Sequence, residues 1–153
     1  MARRHRQQVS AHGGECWALV EQVLIEAGAD VSGALEYRWG QEIPIGEADA
    51  GDIVQFECRS GFTLMRTPGD VTDGDYFTDG AHTAIIELAY NNGRSFRLRH
   101  QNWRGRNVST TTWYFSECEF SDPQGAAVEV SRVFGRWTFY RPLPGPQVPH
   151  RRR

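Results

Sequence analysis

Residues 82–102 read HTAIIELAYNNGRSFRLRHQN, two alternating runs on either side of Asn91-Asn92-Gly93. In the second run Phe96, Leu98, His100 and Asn102 fall on one side and Arg97 and Arg99 on the other, the period-2 pattern of a strand with one covered face. A three-residue loop with Gly93 in the left-handed position joins such runs into a hairpin. Tyr90 then faces Arg94, and the same register carries His82 opposite Asn102, with His100 one diagonal step away. The expected inward face is His82, Ala84, Ile86 and Leu88 against Phe96, Leu98, His100 and Asn102. Three polar side chains therefore gather at one end of an otherwise apolar hairpin face, which needs a cover.

The cover expected for that face is a helix. Residues 15–28, ECWALVEQVLIEAG, repeat Cys16, Leu19, Val20, Val23, Leu24 and Ala27 at helical spacing, with Gly28 as the stop. Cys16 falls in the first turn, just after Gly13-Gly14. If the helix start lies over the His82 end, a thiol at a positive helix end meets an imidazole, with Asn102 or His100 to orient the ring. Each of these features favours a thiolate or fixes the tautomer of the base. Backbone N–H groups at the helix start would receive an oxyanion.

The rest of the chain reads outward from these two elements. Residues 32–40 suggest a short helical piece and 52–58 a strand. Residues 59–81, rich in Gly and Asp, read as a long loop. Within it DVTDGDYFTDG lacks the carboxylate spacing of a calcium loop. Residues 107–118 read as a strand, 122–125 as a turn, and 127–134 with 137–141 as a last hairpin. The expected architecture is α+β, one helix followed by about five antiparallel strands. Residues 1–12 form a basic polar tail, 13–142 the domain, and 143–153 a Pro/Arg-rich tail.

Composition excludes several classes of function. The chain has 153 residues, 39% hydrophobic and 24% charged, which suits one globular domain. It contains no lysine. Six of its 17 arginines lie at the ends, at 3, 4, 6, 151, 152 and 153, leaving eleven against 19 acidic residues between them, a net charge of −8. A body so acidic does not suit duplex nucleic acid. No run approaches the roughly 20 apolar residues of a membrane-spanning helix. Cys16, Cys58 and Cys118 show no CxxC spacing, which argues against a disulfide scaffold or a zinc site, and no metal or other cofactor is expected. MARRHRQQVSAHGG has no apolar core of a signal peptide. The expected location is cytoplasmic, or outside the cell by release or delivery that bypasses the general secretory route.

GGECWALVEQVL, AGDIVQF, HTAII, HQNW and FYRP, in that order, resemble the CHAP amidase/peptidase pattern, which belongs with NlpC/P60 in the papain-like superfamily. The ECW, YRWG, GDIVQF and HTAI blocks also resemble the cysteine-proteinase-fold domain of certain fungal actin-patch proteins. The resemblance implies a papain-like fold, with the Cys-bearing helix on an antiparallel sheet of five to six strands. It places Cys16 at the nucleophile and His82 at the base. CHAP domains commonly carry an acidic residue two before the Asn of the third block; here that position is His100, and Asn102 matches the Asn. NlpC/P60 proteins use a second His as orienter, which favours His100. The implied activity is cleavage of a peptide or cell-wall-type amide through a thioester. The alternatives are acyl transfer at the same site and an inactive interaction domain.

Overall fold

The computed structural model describes residues 15–67, 72–90, 94–101 and 108–146. Its elements are α1 (Glu15–Glu26), β1 (Gln41–Ile43), β2 (Ile53–Phe56), β3 (Gly61–Thr67), β4 (Thr72–Phe77), β5 (His82–Tyr90), β6 (Ser95–Gln101), β7 (Val108–Tyr114), β8 (Cys118–Ser121), β9 (Ala127–Phe134) and β10 (Trp137–Arg141). Short 3-10 turns cover Ala34–Glu36 and Ile45–Glu47. The strands form two antiparallel sheets, one of six strands ordered β1-β10-β2-β5-β6-β7 and one of four ordered β4-β3-β9-β8.

This architecture corrects the expectation of an α+β, papain-like fold with one sheet of five to six strands. The protein is mostly β, with one short helix and two sheets. The difference originates in residues 59–81. Their Gly and Asp content reads as loop, yet β3 and β4 lie there, with Phe62 and Leu64 buried. Gly61 is required for this pairing, because a Cβ there would collide with the Tyr76 carbonyl of β4. The expected hairpin of 127–134 with 137–141 is also replaced. β9 pairs with β3 and β8 in the smaller sheet, whereas β10 pairs with β1 and β2 in the larger one. The chain crosses between the sheets at Gly135, whose φ of +114° suits glycine.

The smaller sheet, not the helix, covers the apolar hairpin face. Val54, Phe56, Ala84, Ile86, Phe96, Leu98, Trp113 and Phe139 of the larger sheet pack with Phe62, Leu64, Val128 and Val130 of the smaller one in a single core. The opposite face of the larger sheet carries Ile53, Ile85 and Tyr140, which pack with Trp17, Val20 and Leu24 of α1 and with Trp39. The order is helix, six-stranded sheet, four-stranded sheet. A strand covered on both sides must be buried at every position, and β2 is buried at all four.

The β5–β6 register is the expected one at the histidine end and shifted at the turn end. Ile85 pairs with Arg99 and Ile86 with Leu98, but Tyr90 pairs with Ser95, because a β-bulge lies between Ile86 and Leu88. The extra residue reverses the alternation beyond it. Leu88, expected inside, is 41% exposed, and Ala89 packs on the core instead. Glu87, at the bulge, bonds Arg97 Nε at 3.0 Å and also pairs with Arg99.

Candidate active site

His82 opens β5 and His100 lies near the end of β6, so strand antiparallelism brings both to one end of the larger sheet. Their rings stack with centroids 4.9 Å apart, and His82 Nε2 lies 2.7 Å from His100 Nδ1. His100 Nε2 lies 2.6 Å from Thr111 Oγ1 on β7. The result is a file of three side chains on three adjacent strands, two buried and Thr111 half-buried. His82 is 8% exposed and His100 fully buried. The Phe56 ring approaches His82, with centroids 6.2 Å apart.

Burial sets the charge of the pair. An imidazolium in this apolar setting loses its hydration, so His82 is lowered to a pKa of about 4. His100 is lowered to about 3, by burial first and by the neighbouring His82 second. Both rings are neutral at pH 7. Each neutral ring carries one N–H and one lone pair. With Nε2 of His82 committed to His100, proton chemistry at His82 falls to Nδ1.

These depressed values predict a pH-dependent stability. Between the ordinary value of 6.5 and the native values, the unfolded chain binds protons that the native state refuses. Stability from the pair is therefore complete above pH 6.5 and is lost as pH falls toward 4, at about 1.4 kcal/mol per unit of pKa difference. Urea unfolding should show a falling midpoint from pH 7 to 5, above the range where carboxylates titrate. The double variant His82→Gln/His100→Gln should show a flatter profile. An equal slope in both would refute the assignment.

Cys16 is 7% exposed in the first turn of α1. The helix packs on the face opposite the one expected, since Ile85 faces α1 while His82 and Ala84 alternate with it. Its direction follows from contacts at its other end. The far end of α1 is tied to the chain beyond β10: Asp30 N–H bonds the Leu143 carbonyl at 2.8 Å, Gly145 N–H bonds the Gly28 carbonyl at 2.8 Å, and Ala29 bridges Pro144. In β10 and β2, Tyr140 pairs with Ile53 and Trp137 with Phe56, and Phe56 pairs with His82. The chain beyond β10 thus leaves from the end away from His82, and the Cys16 end of α1 points toward His82.

A chain of contacts joins the first turn of α1 to the start of β5. Trp17 meets Trp39 edge to face at 5.9 Å, Trp39 Nε1 donates to Gln55 Oε1 at 3.0 Å, and Gln55 Nε2 donates to the His82 carbonyl at 3.2 Å. Trp17 and Trp39 are themselves buried in the core. Trp103 and Asn102 lie outside the described residues. Of the two candidate orienters, His100 is the one whose hydrogen bond to His82 is described. No disulfide joins the three cysteines. The Cys118 thiol is pushed up, by burial above all rather than by the adjacent glutamates.

Beside this end opens a cavity of about 490 Å³, bordered by Gln55 and by Ala81, the residue before His82. Glu36, Glu42, Glu57 and Arg38 also line it. Sequence reasoning missed Gln55 and Thr111. A Gln inside the apolar run Ile53–Phe56 was the available signal for the first; a Thr in a Thr-rich strand offered none. Among the described residues no group of three His, Cys, Asp or Glu side chains could hold a metal ion. No helix of the described residues is long and apolar enough to cross a membrane. No protein-family model, curated protein or solved structure matches the chain.

Proposed function

We propose that this protein is a cysteine amidase or endopeptidase that cleaves a peptide or peptidoglycan-type amide, with Cys16 as nucleophile, His82 as base and His100 as the orienter. The supporting observation is the His82–His100–Thr111 file. In the tautomer this reading uses, His82 Nε2–H donates to His100 Nδ1 and His100 Nε2–H donates to Thr111. That leaves the lone pair of His82 on Nδ1. His82 Nδ1 takes the proton of Cys16 Sγ, and the thiolate adds to the substrate carbonyl carbon. Backbone N–H groups at the start of α1 receive the oxyanion. The C–N bond breaks as His82 returns the proton to the leaving amine, and a thioester remains. Water, deprotonated by His82, then releases the acid and restores the thiol.

This reading takes the chemistry of the CHAP and NlpC/P60 resemblance without its fold. Burial of Cys16 favours one competing reading, a non-catalytic interaction domain, since a buried thiol serves equally as a small apolar group. Cleavage assays separate the two. Wild type incubated with purified cell-wall peptides should generate new amino termini detectable by mass spectrometry. Cys16→Ala should lower that rate by roughly 10³-fold or more. Equal cleavage by Cys16→Ala, or no cleavage by wild type, contradicts the reading. Added amines diverting product to amides would identify transfer at the same thioester.

A further inference from the structure

Gln55 is a polar side chain where the fold calls for an apolar one. It lies in β2 between Val54 and Phe56, inside the six-stranded sheet, and is 4% exposed. Burying an amide without hydrogen-bond partners is costly. Here both ends of the amide are used twice. Oε1 accepts from Trp39 Nε1 at 3.0 Å and from Thr83 Oγ1 at 2.6 Å. Nε2 donates to the carbonyls of Phe56 at 3.1 Å and His82 at 3.2 Å. An indole N–H can only donate and a carbonyl can only accept, so the amide has a single orientation.

We infer that Gln55 is a positioning residue, which fixes the start of β5, and with it the His82 ring, relative to the helix that carries Cys16. Its catalytic consequence rests on the Cys16–His82 reading; its grip on His82 is independent of it. Three of the four bonds reach the Trp39 segment, which packs on Trp17 beside Cys16, and the first two residues of β5. An apolar residue of similar volume would fill the space and take away the acceptor of the Trp39 N–H and the Thr83 hydroxyl and the side-chain donor to the His82 carbonyl. Gln55→Glu keeps the acceptor toward Trp39 and Thr83 while its carboxylate has no donor for His82, so it separates the two halves of the device.

The test combines two readouts on variants that retain the wild-type circular dichroism spectrum. One is the pH profile of Cys16 alkylation by iodoacetamide, and the other is the 15N spectrum of the His82 and His100 rings. Gln55→Met should slow Cys16 alkylation at pH 6 by about 10-fold. It should also replace the single-tautomer His82 signals with averaged ones. Gln55→Glu should shift both readouts in the same direction. Thr83→Val, isosteric and less disruptive, should produce a smaller shift and serves if Gln55→Met fails to fold. Wild-type profiles and wild-type ring signals in the folded variants would overturn the inference. If wild-type Cys16 is no more reactive than Cys58 while the ring signals respond to Gln55, the hydrolase reading fails and the positioning role stands.

Discussion

Replacing His82 with alanine is expected to slow alkylation of Cys16 at pH 6 by roughly two orders of magnitude. Only the thiolate reacts, and an isolated thiol, titrating near about 8.5, is less than about 1% ionised at pH 6. In the proposed mechanism His82 is neutral beforehand and the imidazolium forms only by taking the Cys16 proton, paired with the thiolate at the helix start, which raises the thiolate fraction at the same pH. The lower intrinsic nucleophilicity of a more acidic thiol subtracts part of the gain. The variant keeps the main-chain carbonyl that accepts from Gln55. The effect should appear at pH 6 and shrink toward pH 9, where any thiol ionises. A uniform loss at all pH values would instead indicate an altered fold.

Phe56→Ala is expected to give the largest loss of stability, about 3–5 kcal/mol. On a chain of this size that corresponds to a fall in Tm on the order of 10 °C. Phe56 is fully buried, stacks on Phe115 at 5.8 Å, and contacts the rings of Trp113 at 4.9 Å, Trp137 at 6.5 Å and His82 at 6.2 Å. It stands where the two sheets and the histidine pair meet, so its removal opens a cavity with few neighbours able to collapse into it. Water entering beside His82 would ease the desolvation that depresses both imidazoles. The pH slope of stability between 7 and 5 should therefore flatten in the same variant. A loss under about 1 kcal/mol by urea unfolding would show that the junction tolerates the cavity and contradict this packing account.

Short-range pattern was the legible part of this fold. The alternation of Phe96, Leu98 and His100 against Arg97 and Arg99 appears as one buried and one exposed face. Helix α1 starts at Glu15 as expected, and Gly28 takes a φ of +73° just beyond its end. The buried stripe is rotated: Trp17 is covered along with Cys16, Val20 and Leu24, while Val23 is 38% exposed. The contact of Trp17 with the buried Trp39 ring favours that rotation, and helical periodicity alone cannot supply it. The bulge at Glu87 was illegible for a related reason. It depends on the pairing of Glu87 with Arg97 and Arg99 across strands, not on any residue that marks bulges locally.

The layer order was the larger miss, and it follows from one segment. With residues 59–81 read as loop, the only cover for the His82 face was the helix. Once β3 and β4 exist, they and β9 occupy that face, and α1 takes the other. The His82–His100 pair kept its place in this exchange because it sits at the end of the sheet rather than in its middle. The meeting of His82 with His100 needed only the register at Ile85–Arg99, which lies on the histidine side of the bulge. The direction of α1 was set by the contacts of Gly28, Ala29 and Asp30 with residues 143–145. No periodicity encodes those.

The central claim is that the His82–His100 pair activates Cys16, and the wild-type protein carries its own controls. Alkylation by iodoacetamide from pH 5 to 9, read peptide by peptide in the mass spectrometer, compares Cys16 with Cys58 and Cys118 in one sample. The account predicts that Cys16 reacts at pH 6 at a rate near its plateau, and that its profile lies at lower pH than those of Cys58 and Cys118. A Cys16 that stays inert, or that follows the same profile as Cys58, would contradict it.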